Sequence, residues 1–285
     1  MYGAPEHRLL KDGKRLHLHH GPIDLVIRAA GADDEIARAY QQAIDRFQDV
    51  LSVLVDELPL LRMPLGEPIW QPDGPIAKRM VDVVSRHQGV FVTPMAAVAG
   101  AVSDEMLAAA IKDRDLKTCW INNSGDIAFH LEAGETLKLG VVGNLFRLSV
   151  DGTAEFTHDM KVRGIATSGW AGRSHSFGIA DAVTVLAGDS ATADVAATLI
   201  ANDVDVDHPA IERKPANEID DDTDLGDRMV TVSVGELDGG SIRAALDLGV
   251  MAAETLRAAG RIEAAMLILR NQTRVVGDMP ASAAP

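Results

Sequence analysis

Hydrophobic residues recur every three or four positions in several stretches of the chain, and this spacing predicts amphipathic helices. In residues 33–58 the recurring positions are Ile36, Tyr40, Ala43, Phe47, Val50, Leu51 and Leu54. Further helices are predicted at 76–87, at 94–112, from Ser190 through Thr198, and at 241–259, where Gly260 marks a stop. Each helix is expected to turn its apolar face toward a core.

Shorter apolar runs separated by turn residues predict strands. An early strand or hairpin spans 14–30, a buried strand is predicted at Ala182–Ala187, and a further strand is predicted at Met229–Leu237. The central candidates are Lys117–Asn122, Asp126–Leu131, Thr136–Val142, Leu145–Val150, Ala154–His158 and Val162–Ala166. Because short turns join these central strands, we expect antiparallel pairing. The pattern predicts an α+β fold, a largely antiparallel sheet with flanking helices, in a single domain over 1–285.

Two segments fall outside this pattern. Residues 203–228 are strongly acidic and include the run Asp220-Asp-Asp-Thr-Asp. A Ca²⁺ loop requires regular ligand spacing and a turn glycine, so we predict a solvated acidic loop here rather than a metal site. The tail, 278–285, is predicted to be frayed.

Composition and charge narrow the classes of function. The chain has 285 residues, is 47% hydrophobic and has a mean hydropathy of +0.04, values typical of a folded protein. Its net charge of −15 argues against a nucleic-acid partner and against docking on an anionic membrane. We find neither an apolar run of the roughly 18–20 residues that cross a bilayer nor a signal-peptide pattern, and expect a cytoplasmic location.

The single cysteine and the early histidines carry little chemistry by themselves. Cys119 has no partner for an intrachain disulfide and lies in a predicted strand, which favours a buried, inert thiol over a nucleophile. His17 and His19 share one strand face, with His20 next to them, but no partner group with zinc spacing follows. A surface or inter-strand histidine cluster is the favoured interpretation.

The stretch Gly164–Gly178 is rich in groups that bind phosphate. Backbone amides near Gly169 are open to close approach by a ligand, and Arg173 adds a cation. Its hydroxyls belong to Thr167, Ser168, Ser174 and Ser176. This combination favours a functional loop over a plain turn. His175 is a candidate acid/base or phosphate donor, and a hydrogen-bonded structural histidine is the alternative.

Asp194 and Thr198 follow in a predicted helix. Their side chains are four positions apart, so their oxygens project from one face. Two hard oxygen ligands near a helix start suit a Mg²⁺ ion that also holds a phosphate.

Two earlier motifs have structural as well as functional interpretations. The turn at Asn122–Ile127 contains Asn123, Gly125 and Asp126 and is typical of a β-hairpin. In the helix after Pro94, Gly100 and Asp104 stand out, since a glycine inside a helix costs roughly 1 kcal/mol relative to alanine. Close approach of a backbone or of a ligand would offset that cost.

A Ser/His/Asp hydrolase is a further alternative. It would combine Ser168 or Ser176 with His175 and either Asp126 or Asp181. The chain lacks the Gly-x-Ser-x-Gly elbow, and triads are recognised by geometry.

Taken together, these motifs resemble the ApbE-like superfamily, whose best-known members are FAD:protein FMN transferases. In order they are Gly100 with Asp104, the turn Asn122-Asn-Ser-Gly-Asp126, Thr167-Ser-Gly169, His175 and Ala193-Asp-Val-Ala-Ala-Thr198. The segments Pro94–Ala101 and Ser174–Val183 are similar, more specifically, to the uncharacterised protein family 0280 branch. The resemblance covers about residues 15–205.

The resemblance implies a Mg²⁺ ion held by Asp194 and Thr198 beside a flavin dinucleotide, FAD. It implies cofactor-binding roles for Gly100, Asp104, Asn123, Gly125, Thr167, Ser168, Gly169, Arg173 and Ser174, and catalytic roles for His175, Ser176 and Asp126. Transfer of FMN to a target hydroxyl is the implied activity. A hydrolase or lyase for a small carboxylated or heterocyclic metabolite, and a non-catalytic accessory protein, stay open as alternatives. The alanine-rich helix 241–259 is compatible with a homodimer.

Overall fold

The computed structural model of the protein describes residues 3–66, 69–141 and 152–283. Its strands are β1 Glu6–Leu9, β2 Leu16–His20, β3 Ile23–Gly31, β4 Leu116–Asn123, β5 Asp126–Leu131, β6 Thr136–Val141, β7 Gly152–Thr157, β8 Gly164–Ser168, β9 Ala182–Ala187, β10 Ile211–Pro215, β11 Met229–Val234, β12 Ala264–Leu269, β13 Gln272–Gly277 and β14 Ala281–Ala283. Its helices are α1 Asp33–Phe47, α2 Val50–Leu61, α3 Pro75–Ser85, α4 Val98–Ile111, α5 Ser190–Asp203, α6 Ala216–Ile219 and α7 Gly239–Ala258. A short 3₁₀ helix, Pro94–Ala97, leads into α4.

The largest sheet has nine strands in the order β1-β2-β3-β4-β5-β8-β9-β12-β13. The pairs β1–β2, β2–β3, β3–β4, β4–β5, β5–β8, β9–β12 and β12–β13 are all antiparallel. Two smaller sheets contain β10 with β11, and β14, β7 and β6. The predicted α+β fold with a largely antiparallel sheet is therefore confirmed.

The chain divides into two compact units. The first contains Met1–Leu137, Thr157–Ile165 and Asp189–Thr192, and the second contains Lys138–Phe156, Ala166–Gly188 and Ala193–Pro285. The single-domain organisation stays a prediction, and each unit is described by itself.

In the first unit, α1 and α4 pack against the sheet strands β3, β4 and β5. Alternate residues of the strands point inward, so Leu25, Ile27 and Ile121 are fully buried. Helix α4 buries small residues as well as Met106. Small side chains let the backbone of α4 come close to its neighbours.

In the second unit, β9 is buried along its whole length. Its valines pack with the alanines of α5 and α7 and with Leu267 of β12. Gly249 of α7 faces Val204 and Leu267, and a methyl group added there would lie 2.3 Å from a Val204 side-chain carbon. This core uses small aliphatic groups, in keeping with the 4% aromatic content of the chain.

Several predicted elements differ from the observed ones. The helix expected over 33–58 is divided at Gln48 and Asp49 into α1 and α2. The apolar pattern continues across this break because both helices bury their apolar side. The strand predicted at Leu145–Val150 lies outside the described residues. Ala281–Ala283, in the tail predicted to be frayed, pairs with β7.

The acidic segment 203–228 is only partly a loop, which corrects the prediction. Ile211–Pro215 pairs with β11, and Ala216–Ile219 forms one helical turn. Residues of β10 alternate between half-buried and exposed: Glu212 and Lys214 are exposed, while Arg213 is half-buried and paired with Asp205. A high content of acidic residues indicates that side chains are solvated, but it does not prevent the backbone from pairing as a strand.

One segment is long and apolar enough to cross a membrane by composition. Pro94–Ile111 has a mean hydropathy of 1.3 over 18 residues, which our inspection of the sequence did not find. Because 56% of this segment is buried within the protein, its burial is that of a core helix.

Candidate functional site

The predicted site residues fall in both units. Gly100, Asp104, Asn123, Gly125 and Asp126 lie in the first unit, and those from Thr167 onward lie in the second. The two sets are therefore described separately.

In the first unit, Asp104 binds the beginning of α5. Its Oδ1 accepts the backbone N–H of Ser190 at 3.0 Å, and its Oδ2 accepts that of Ala191 at 2.9 Å. Arg79 Nη1 is 3.9 Å from the same Oδ2. Burial raises the pKa of the Asp104 carboxyl to about 6, against the opposing effect of the two backbone hydrogen bonds.

Asp189 binds the next backbone N–H group of α5. Its Oδ1 accepts the N–H of Thr192 at 2.7 Å, and its Oδ2 accepts the Thr192 hydroxyl at 2.9 Å. The N–H groups of Ser190, Ala191 and Thr192 are thus all bound by two carboxylates. This end of α5 has its first donors satisfied, so a phosphate would have to be bound by other groups.

Two glycines bring neighbouring backbone against the start of α5. A methyl group added at Gly100 would lie 2.3 Å from the Ser190 carbonyl oxygen. One added at Gly164 would lie 2.0 Å from the carbonyl carbon of Asp189. Only glycine permits such an approach, so the cost of Gly100 inside α4 is offset by backbone packing. A ligand contact at Gly100 or Asp104 stays a prediction.

The turn between β4 and β5 has the geometry of a two-residue hairpin. Asn123 pairs with Asp126, and the two loop residues, Ser124 and Gly125, both have positive φ angles of 56° and 118°. The side chain of Asn122 accepts the N–H of Gly125 at 2.8 Å. Positive φ at both positions is typical of type I′ turns. The hairpin interpretation is confirmed.

This hairpin is also joined to α4. The Asn123 side-chain amide donates to the Ala99 carbonyl at 3.1 Å, and the Ser103 hydroxyl donates to the Asp126 carbonyl at 2.9 Å. Both contacts hold the turn in place. Ligand binding by Asn123 or Gly125 and catalysis by Asp126 stay predictions.

In the second unit, the end of β8 lies close to β9, and the loop that follows β8 packs against the residues just before β9. Thr167 Oγ1 is 2.9 Å from Thr184 Oγ1, so these two hydroxyls bind one another. Gly169 is buried, and a methyl group added there would lie 2.6 Å from the Asp181 carbonyl oxygen. The loop residue Trp170 donates its indole N–H to Asp181 Oδ1 at 3.1 Å.

Asp181 is a structural acceptor. Besides Trp170, its carboxylate binds the backbone N–H of Arg270 at 2.6 Å, in the turn between β12 and β13. Asp181 thus caps a backbone amide. Arg270 has a φ of 48°, and its guanidinium donates to the carbonyls of Val234 and Gly235.

Ser176 is buried and hydrogen-bonded. Its hydroxyl donates to the Asn202 side-chain oxygen at 3.0 Å and accepts the N–H of Gly178 at 3.2 Å. The same Asn202 oxygen accepts the N–H of Phe177 at 2.9 Å. A hydroxyl in these contacts orders the loop, and neither contact is with a histidine. Catalysis by Ser176, alone or in a triad, receives no support from this geometry.

Other side chains of this loop are open to solvent. Arg173 and Ser174 are exposed, while Ser168 and His175 are half-buried. They offer a guanidinium, two hydroxyls and an imidazole within one short segment. This is the part of the loop whose polar groups a ligand can reach.

Asp194 and Thr198 lie one turn apart on α5, and both are half-buried. Their oxygen chemistry fits Mg²⁺, which commonly takes one or two carboxylates and completes its shell with phosphate oxygens and water. Among the described residues, no group of three or more His, Cys, Asp or Glu side chains is placed to hold a metal. A metal at Asp194 would therefore depend on ligand oxygens.

The early histidines form an inter-strand cluster, as we predicted. His17 Nε2 lies 3.1 Å and His19 Nδ1 lies 3.4 Å from Asp24 Oδ2 on the neighbouring strand. The two rings are stacked, with centroids 6.3 Å apart. Asp24 thus serves as their shared partner.

Three functional groups were missed by reasoning from sequence. Asp189 holds the start of α5 in the first unit, and Asn202 and Arg270 hold the segment after β8 in the second unit. None of the three belongs to the motifs named in the sequence analysis. Asp189 precedes Ser190 and could have been found as an N-cap. The other two act across large separations in the chain, which no local pattern reports.

A pocket of about 520 Å³ lies elsewhere in the second unit. It is lined by Val234, Gly235, Glu236, Leu237 and Arg270. None of the predicted site residues is among them.

Comparisons with known proteins agree with the resemblance. A family model described as AbpE bacteria matches residues 7–275. The chain is 37% identical over 179 residues to a UPF0280 protein of Methanothermobacter thermautotrophicus, covering 60% of this chain and 64% of that protein. It is 36% identical over 148 residues to a UPF0280 protein of Methanosphaerula palustris, covering 51% and 60%. A third, from Methanosarcina acetivorans, is 29% identical over 192 residues, covering 66% and 73%. The match therefore spans less than two thirds of the first two relatives.

Proposed function

This chain belongs to the family described as AbpE bacteria, and on that premise we propose that it binds a phosphate-bearing ligand together with Mg²⁺, the ligand being a flavin nucleotide. The similarity to UPF0280 proteins supports the 0280 branch of an ApbE-like superfamily. The names of those relatives state no activity. The ligand is therefore argued from the side chains of this chain.

The observation that carries the proposal is the pair of oxygen donors on α5. Asp194 and Thr198 share a helix face and are both half-buried, so they are accessible without being fully hydrated. One carboxylate and one hydroxyl are too few to hold Mg²⁺ alone, but they suffice when the ligand itself supplies phosphate oxygens. The donor set thus favours a metal that binds with a nucleotide.

The loop after β8 supplies groups for the phosphate. Arg173 offers a charged fork of donors and Ser174 a hydroxyl, and Ser168, the last residue of β8, offers a second hydroxyl. Thr167 is engaged with Thr184, and Ser176 with Asn202, so these two hydroxyls order the loop in the proposed site. The roles predicted from sequence are thereby divided into residues that contact the ligand and residues that shape the loop.

Flavin transfer is the activity that the family resemblance suggests. A bound Mg²⁺ would neutralise phosphate charge, which is the main requirement of phosphoryl transfer. Arg173 would orient the phosphate. His175, half-buried beside the open part of the loop, would accept the proton of an attacking hydroxyl. The hydroxyl oxygen would bond to the FMN phosphorus, the pyrophosphate P–O bond would break, and AMP would leave with that electron pair.

Flavin fluorescence tests the binding proposal. The full chain is mixed with FAD in Mg²⁺ or in EDTA, and quenching is measured for the wild type, Asp194→Asn and Asp203→Asn. Asp203 lies on the same helix and is the matched charge control. We expect Mg²⁺-dependent quenching that Asp194→Asn weakens at least tenfold and Asp203→Asn leaves unchanged.

Other outcomes point to the alternatives. Quenching that EDTA leaves intact would contradict the metal. Absence of any quenching, with no flavin on the purified protein, would contradict the flavin and leave an enzyme for a smaller metabolite or an accessory protein. A homodimer and a cytoplasmic location belong to the same proposal and are checked by sedimentation and fractionation.

A further inference from the structure

We infer that Asp104 is a positioning residue: together with Gly100 and Gly164 it fixes the start of α5, and so sets where Asp194 and Thr198 stand. This inference rests on the proposed function for its consequence, because Asp194 and Thr198 are the proposed metal ligands. The contacts themselves lie within the first unit and are independent of any ligand.

The Asp104 carboxylate pairs with two successive backbone donors. Asp104 Oδ1 and Oδ2 accept from Ser190 and Ala191 at 3.0 and 2.9 Å. A carboxylate that binds two adjacent N–H groups constrains both the position and the rotation of the helix end. Its negative charge also interacts favourably with the positive, N-terminal end of the helix dipole.

Little space surrounds this end of α5. The distances for added methyl groups, 2.3 Å at Gly100 and 2.0 Å at Gly164, show that backbone lies against both sides of residues 189–190. The hydroxyl of Ser190 is fully buried and, among the described residues, has no hydrogen-bond partner. The close packing at this end therefore leaves the Ser190 hydroxyl buried without a partner among the described residues.

The proposed ligands lie close to the fixed end along the helix. Asp194 and Thr198 follow Ser190 by about one and two helical turns, and the helix is continuous between them. A metal ligand must be held within about 0.5 Å of its place. A loosened first turn would therefore reach Asp194 first and weaken metal binding without touching the metal.

The alternative is that Asp104 contacts a ligand directly, as the family resemblance implied. Both of its oxygens are already used by backbone donors, and its side chain is buried. Its charged neighbours are Asp189 and Arg79, which belong to the same cluster. The structure therefore favours the indirect role.

The test uses the full chain with Asp104→Ala, Asp104→Asn and the control Ser103→Ala. Ser103 is the adjacent buried residue of α4. Its replacement by alanine also removes one hydrogen bond to backbone, but that bond goes to Asp126 rather than to α5. Amide hydrogen exchange is measured along α5. Mn²⁺ affinity is measured by electron paramagnetic resonance in the presence of saturating FAD, because the donor pair needs the phosphate oxygens of the ligand to hold the metal.

We expect Asp104→Ala to speed exchange from Ser190 through Thr198 at least tenfold and to weaken Mn²⁺ binding at least tenfold. Asp104→Asn keeps one acceptor and should restore part of both losses. Ser103→Ala should change neither.

The two readouts separate the two claims. If the wild type fails to bind Mn²⁺ in the presence of FAD, the proposed function fails, and hydrogen exchange still decides the inference. Unchanged exchange along α5 in Asp104→Ala would overturn the inference, as would equal effects of Ser103→Ala. Weakened Mn²⁺ binding with unchanged exchange would also overturn it, because Asp104 would then act on the ligand directly.

Discussion

The buried carboxyl of Asp104 should make the free energy of unfolding depend on pH. Its pKa is about 6 in the folded protein and 3.8 in the reference state, because burial disfavours the charged form more than its hydrogen bonds favour it. Between these values the folded state binds more protons than the unfolded state. Stability from this group is therefore present below pH 3.8 and is lost as the pH rises through about 6.

The size of the effect follows from the shift. One pKa unit corresponds to about 1.4 kcal/mol, so a shift of about two units amounts to about 3 kcal/mol. Little solvent screening is expected, because Asp104 is buried. The Asp104→Asn variant cannot ionise and provides the reference that removes the contribution of all other acidic groups.

The assay is urea unfolding of the wild type and Asp104→Asn at several values between pH 3.5 and pH 7. The free energy of unfolding of the wild type minus that of the variant should fall by about 3 kcal/mol over this range and then stay constant. A difference that is flat with pH would refute the reasoning. A difference that rises with pH would show that the hydrogen bonds to Ser190 and Ala191 outweigh burial.

Further predictions concern packing and reactivity. Gly178→Ala should lower the free energy of unfolding by roughly 3 kcal/mol, because the new methyl group would lie 2.1 Å from the Ala201 carbonyl oxygen. Gly188→Ala is the control, since a methyl group added there meets nothing within 4 Å. Equal urea midpoints for the two variants would contradict the prediction. Cys119 is fully buried and its pKa is raised to about 12 by burial, so a thiol reagent at pH 8 should label it only after denaturation. Rapid labelling of the native protein would be inconsistent with the described core. Ser176→Ala should lower stability by about 1–2 kcal/mol and leave FAD quenching within threefold of the wild type, since the hydroxyl orders the loop. Loss of quenching in a folded Ser176→Ala protein would restore Ser176 as a ligand-binding or catalytic residue.

The parts of the fold that the sequence predicted are those governed by neighbouring residues. The hairpin at Ser124 and Gly125 followed from turn chemistry, and the buried strand Ala182–Ala187 followed from its apolar run. The division at Gln48 and Asp49 was missed because the apolar period does not change there. The pairing of β10 was missed because its charges were interpreted as a sign of a loop.

The candidate site shows the same limit more sharply. The composition of the Gly164–Gly178 loop indicated a special segment, but it did not indicate which hydroxyls are free to bind a ligand. That depends on Thr184 and Asn202, which lie 17 and 26 residues away from their partners. The contact of Asp104 with Ser190 spans 86 residues. Such partners are set by tertiary packing, which a single sequence does not display.

The central claim is that Asp194 and Thr198 hold a metal that shares a phosphate with the loop after β8. A crystal structure of the full chain soaked with FAD and Mn²⁺ tests it most directly. We expect an anomalous Mn²⁺ peak within about 2.5 Å of the Asp194 carboxylate and the Thr198 hydroxyl. We also expect flavin phosphate density beside Arg173. A metal or flavin bound away from these side chains, with Asp194 facing only protein, would contradict the account.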